Sequence, residues 1–181
     1  MSVLKIEMLG SDALRKPATE VREIDQDLRI LIDDMFETMY DAEGIGLAGP
    51  QVGVSRRICV VDLNDEESSP MALVNPRIIE SGRTMEKGEE GCLSIPGIAG
   101  LVNRPAEIVV QALDAEGHSI TIQANGLLAR CLQHEIDHLD GVLFIDRLSP
   151  LKRDMLLKKY RAGLSEDARK GRTSTAGGSS R

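Results

Sequence analysis

"LLARCLQHEIDHLDG", residues 127–141, sets two of the chain's three histidines four residues apart, with a glutamate directly after the first. At helical spacing Leu127, Cys131, His134 and His138 form one stripe, so both imidazoles face whatever the helix packs against. A purely structural stripe would be apolar at 134 and 138, because buried imidazoles need polar partners. The stretch therefore predicts a central helix that carries chemistry into the core. His-Glu-x-x-His is the pattern of a metal-assisted hydrolase, with two imidazole ligands and Glu135 beside them as base. It lacks a third ligand.

Three completions can be compared. A metzincin continues to a third His six residues after the second. Here Gly141 is in place, but the ligand position is Phe144, which cannot bind metal. A thermolysin-like site takes a downstream Glu, and the only one is Glu166, at the edge of a tail rich in Gly, Ser and Thr. The third completion lies upstream, in "EEGCLSIPG", residues 89–97. Cys92, as thiolate, is a strong ligand for a borderline metal. Cys92, His134 and His138 would leave a fourth position for water, as catalytic sites do and closed structural sites do not. Taken without the histidines, Cys92 reads as a small buried hydrophobe.

Around this centre the chain reads as α+β. Residues 25–42 carry Leu28, Leu31, Ile32, Met35 and Met39 at helical spacing, with Gly44 as a stop. "GIGLAGPQVG", residues 44–53, is too glycine-rich for a helix. Its Gly-x-Gly suggests a phosphate cradle, but it follows a helix and lacks the Lys of nucleotide loops. A loop lying against an extended peptide fits better. Residues 56–63 read as a buried strand with Cys59 a core thiol, and residues 69–80 as a strand that Pro76 bends or confines to an edge. Residues 107–124 read as a hairpin around "AEGH", with His118 solvated in its turn. Asn125 is the expected N-cap of the motif helix, 126–140, and Gly141 its stop. Ser149 and Pro150 open a last helix to Gly163. Strands and helices do not alternate as βαβ, so the expected fold is α+β: mixed or antiparallel sheets around the motif helix, plus a C-terminal helix.

The 181 residues suit one domain: residues 1–163, including a basic helix at 150–163, followed by a disordered tail at 164–181. Residues 1–149 hold 13 basic and 26 acidic side chains, whereas residues 150–181 hold 9 and 3. An acidic body with a basic end points that end at something anionic. Three cysteines give no disulfide framework and fit a reducing compartment. No signal-peptide pattern or apolar span is seen, so a cytoplasmic protein with no membrane role is expected.

Three segments, "GIGLAGPQ", "EGCLS" and "QHEIDH", together resemble the peptide deformylase family, in that family's order and with similar separations. The similarity runs from "LRKPATEV" to "LFIDRLSPLK", with one departure at Gly49, where the family usually has Ala. The resemblance implies removal of the formyl group from the N-terminal formylmethionine of new bacterial polypeptides, with release of formate. It implies Fe²⁺ on Cys92, His134 and His138, and Glu135 as acid and base. Zn²⁺, Ni²⁺ or Co²⁺ would suit the same ligands. Gln51 and the Leu93 backbone N–H would face the developing oxyanion, and Ile45, Gly46 and Gly91 would border the substrate backbone. Ile45, Leu127 and Cys131 are candidate walls for a methionine side chain, the last two because they share the histidine stripe. The resemblance also implies that the basic C-terminal helix docks on the ribosome, and a monomer is expected.

Two other functions compete. A zinc peptidase would use the same helix without needing a formyl group. A metal-stabilised binding module would fill the fourth ligand position and have no need of Glu135.

Overall fold

The computed structural model describes residues 2–65 and 69–175. Its order is α1 (Gln26–Asp41), β1 (Gly46–Ala48), β2 (Ile58–Val61), β3 (Met71–Ser81), β4 (Met85–Cys92), β5 (Ile95–Pro105), β6 (Glu107–Leu113), β7 (Ser119–Asn125), α2 (Gly126–Leu139) and α3 (Pro150–Thr175). Short 3₁₀ turns lie at Asp12–Leu14, Gly49–Val52 and Phe144–Arg147. Five strands form one sheet in the order β1-β2-β3-β6-β7, and β4 and β5 form a separate two-stranded sheet. Every strand pair among the described residues is antiparallel.

The five-stranded sheet is covered on both faces, and the period-2 rule explains how. On β2, Cys59 and Val61 pack with Leu132, Ile136 and Leu139 of α2. Ile58 and Val60 point the other way, onto Leu28, Ile32, Met35 and Met39 of α1. That is the stripe expected for α1, except that Leu31 is only partly buried. Asp25 caps α1 by accepting from the Leu28 N–H at 2.8 Å. A third cluster joins Ile95, Ile98 and Val102 of β5 to Leu143, Phe144, Ile145 and Tyr160, which ties α3 to the smaller sheet.

Two local expectations are corrected and one is refined. β3 is the central strand of its sheet and not an edge, and Pro76 is accommodated by a register shift between Val74 and Arg77. Asn125 is the N-cap residue of α2, as expected, with extended backbone, although its side chain makes no capping hydrogen bond among the described residues. The last helix passes through Gly163 and continues to Thr175, so the disordered tail expected from 164 is helical there. A single glycine in a helix costs only about 1 kcal/mol, which neighbouring turns can absorb. Residues 176–181 lie outside the described residues. "GIGLAGPQVG" is a three-residue edge strand followed by a 3₁₀ turn, consistent with the exclusion of an α-helix. At Gly49 an added methyl would meet the backbone oxygens of Arg56 and Val54 at 2.7 and 2.9 Å, so the departure from the family's usual Ala lets residues 54–56 close in.

Candidate active site

Three parts of the chain converge where the two sheets meet. α2 brings His134, Glu135 and His138, the end of β4 brings Cys92, and the turn after β1 brings Gln51. His138 Nε2 lies 3.2 Å from both Cys92 Sγ and His134 Nε2, and all three ligand atoms fall within 4.8 Å of one another. Nitrogens and a sulfur held about 2.0–2.3 Å from a tetrahedral metal sit roughly 3.3–3.6 Å apart. The donor set and its spacing therefore fit a divalent transition-metal ion.

The shell behind the ligands is ionic and buried. His134 Nδ1 meets Glu90 Oε2 at 3.0 Å, which fixes the ring and turns Nε2 toward the other ligands. Glu90 is gripped by Arg104 at 2.6 and 2.8 Å and by Arg130 at 2.9 Å. Arg104 also donates to Asp137 at 2.8 Å, and Asp137 accepts from Arg147 at 2.6 and 2.5 Å. Although burial opposes charge on Glu90, Arg104 and His134 outweigh it and lower its pKa to about 2. Burial also opposes charge on both histidines. At His134 the neighbouring Cys92 and the hydrogen bond to Glu90 prevail and raise the pKa to about 10. At His138 burial and then the charge of His134 push it well below the usual value.

Glu135 has the environment expected of a proton carrier. It is 3 % exposed and its Oε2 has no hydrogen-bond partner. Burial raises its pKa to about 7, with the charge of His134 pulling the other way. No side chain fits between it and β1: a methyl on Gly46 would press on Glu135 Oε1 and lie 2.9 Å from Cys131 Sγ. Gln51 is 1 % exposed; its Oε1 accepts from the Ala48 N–H at 2.9 Å, and its Nε2 lies 3.5 Å from Cys92 Sγ. Phe144, where a metzincin would carry a ligand, stacks on the His134 ring at 6.3 Å.

A cleft of about 390 Å³ opens over this centre. All the residues singled out from the sequence line it except His138, which lies deeper: Ile45, Gly46, Gln51, Gly91, Cys92, Leu93, Leu127, Cys131, His134 and Glu135. Leu127 is 55 % exposed at the rim, whereas Cys131 is buried, and burial keeps its thiol well above the usual pKa. Leu93 occupies the turn between β4 and β5 and packs sideways toward the α1 core. Sequence reasoning misses Glu90, Arg104, Arg130, Asp137 and Arg147. The available signal is Glu90, two residues before Cys92, because a carboxylate that close to a buried metal site demands cationic partners. His118 is exposed in its turn and pairs with Asp114.

The family described as polypeptide deformylase matches residues 3–154 of this chain. A peptide deformylase of Rhizobium meliloti is 49% identical over 162 residues, 88% of this chain and 93% of its own. The crystal structure of a peptide deformylase from Legionella pneumophila superimposes with a TM-score of 0.87 at 47% identity, covering 93% of this chain and 99% of that one. The Ehrlichia chaffeensis enzyme in complex with actinonin gives 0.86 at 44% identity, covering 90% and 98%.

Proposed function

Because this chain belongs to the polypeptide deformylase family, we propose that Cys92, His134 and His138 hold the divalent ion on which its activity depends. The protein is a hydrolase that removes the N-terminal formyl group from nascent polypeptides. The observation that carries the site assignment is the convergence of three ligand atoms within 4.8 Å beside a buried, unpartnered carboxylate oxygen.

The bond to be cut is a formamide, which resists attack because its nitrogen lone pair is delocalised into the carbonyl. When bound, a divalent ion polarises a carbonyl oxygen and acidifies a water toward a pKa of ~7. Glu135 takes the proton of the attacking water at Oε2 and delivers it to the departing amine, and burial, which favours the protonated carboxyl, suits it to hold that proton between the two transfers. Gln51 Nε2 and the Leu93 backbone N–H stabilise the oxygen as it gains charge, and losing one such donor typically costs ~10²–10³ in rate. Formate and a free amino terminus result. Ile45, Leu127 and Cys131 receive the methionine side chain, and Gly46 and Gly91 border the substrate backbone. Fe²⁺ is the native ion in this reading, with Zn²⁺, Ni²⁺ or Co²⁺ able to replace it. A thiolate ligand then makes the enzyme oxygen-sensitive.

Residues 1–163 act as one catalytic domain, working as a monomer in the cytoplasm, where nascent chains emerge. Lys152, Lys158 and Lys159, exposed on α3, dock that helix on the ribosome. No described helix is long and apolar enough to cross a membrane.

The test is anaerobic purification with metal analysis, followed by assay on formyl-Met and free-amine peptides. We expect iron and formate release from the formylated peptide alone. Cleavage of the free-amine peptide would return the site to the peptidase reading. Glu135→Gln should keep the metal and lose turnover by about 10²-fold or more; retained turnover would remove Glu135 from the mechanism.

A further inference from the structure

Gln51 can face its target only if its amide is held the right way round, and three contacts bear on that. The Ala48 N–H is a donor only, so it must meet Oε1, at 2.9 Å. Nε2 is thereby turned toward Ser94 Oγ at 3.3 Å and Cys92 Sγ at 3.5 Å. Ser94 is fully buried behind the residues that line the cleft. The two residues come from different segments, the 3₁₀ turn after β1 and the turn between β4 and β5. One extended stretch stitches them together: the Glu7 N–H donates to the Gln51 carbonyl at 2.7 Å and the Leu9 N–H to the Ser94 carbonyl at 2.9 Å.

We propose that Ser94 is a positioning residue for deformylation. Its hydroxyl accepts one hydrogen of the Gln51 amide and so holds the other on the side of Cys92 Sγ, which lines the cleft. An NH₂ group has two hydrogens, and without Ser94 the amide is fixed at its oxygen end only. A donor free to swing stabilises charge less well than one fixed in advance. The inference rests on the reading of Gln51 as an oxyanion donor.

The experiment is a double-mutant cycle on the metal-loaded enzyme with Ser94→Ala, Gln51→Ala and both together. Ser94→Ala should lower kcat about 10-fold with KM within about twofold, and Ser94→Thr, which keeps the hydroxyl, should recover most of the loss. In the Gln51→Ala background Ser94→Ala should do almost nothing. The side-chain amide proton signals that disappear in Gln51→Ala should shift, and exchange faster with solvent, in Ser94→Ala. An equal loss in both backgrounds, or unshifted amide signals, would overturn the proposal by showing a merely structural serine. Normal kcat in Gln51→Ala would overturn the oxyanion reading itself. A normal Ser94→Ala beside a crippled Gln51→Ala would overturn the role of Ser94 alone.

Discussion

Glu90 shows how much of this site rests on one side chain that never reaches the cleft's chemistry. Its two oxygens accept four hydrogen bonds, from Arg104 twice, Arg130 and His134. Glu90→Gln would leave the buried Arg104 and the half-buried Arg130 short of charge and give His134 Nδ1 a weaker acceptor. Breaking a buried pair from one side costs about 3–5 kcal/mol, and loss of a partner behind a metal ligand costs roughly 10–100-fold in affinity. Chemical unfolding and chelator competition should show both losses. A variant that binds metal normally would mean that the carboxylate does not orient His134.

At the scale of elements, Asp146 clamps the 3₁₀ turn after α2 to the N-terminal segment and to α3. It accepts from Arg15 at 2.5 and 3.3 Å, from the Leu143 N–H at 2.9 Å, and pairs with Arg153 at 3.4 Å. Burial opposes its charge, but Arg15 and the Leu143 N–H prevail and lower its pKa below the ordinary 3.8. A depressed carboxylate contributes stability above its unfolded pKa, and that contribution is lost as pH falls through the folded value. Asp146→Asn should therefore be less stable than the parent by about 1–2 kcal/mol near neutral pH. The gap should close as pH drops below about 4, read from urea midpoints across pH; a gap independent of pH would exclude the charge. Elements with local signals were legible from sequence: α1 and α2 from their stripes, the β6–β7 hairpin from alternation and its turn, and the cleft residues from three motifs. The β4–β5 hairpin was not, because its turn at Leu93 and Ser94 has no Gly, Pro, Asn or Asp to announce it. The chain from Glu90 to Arg147 was not legible either, since its pairs join β4, β5, α2 and a 3₁₀ turn, and no local pattern encodes which buried charges meet.

For the whole molecule, α3 has two separable parts. Leu156, Leu157 and Tyr160 complete the core of the smaller sheet, so ending the chain at Ser149 removes core. Ending it after Gly163 removes none of those residues. The first truncation should cost at least about 3 kcal/mol, and the second little, as thermal unfolding would show. Equal stability of the two would mean that α3 is not part of the folded core. Ribosome docking is therefore better tested by charge reversal at Lys152, Lys158 and Lys159, which are exposed. Unchanged co-sedimentation would end that reading. The stitch from Glu7 and Leu9 to Gln51 and Ser94 also imposes an order on synthesis. Those first residues leave the ribosome long before the turns they join, and His138 follows Gln51 by 87 residues. At ~5–20 residues per second that interval is roughly 4–17 s. The ligand set is complete only once His138 of α2 has emerged to join Cys92, so an enzyme that works on unfinished chains cannot act until residue 138 of its own chain has been made.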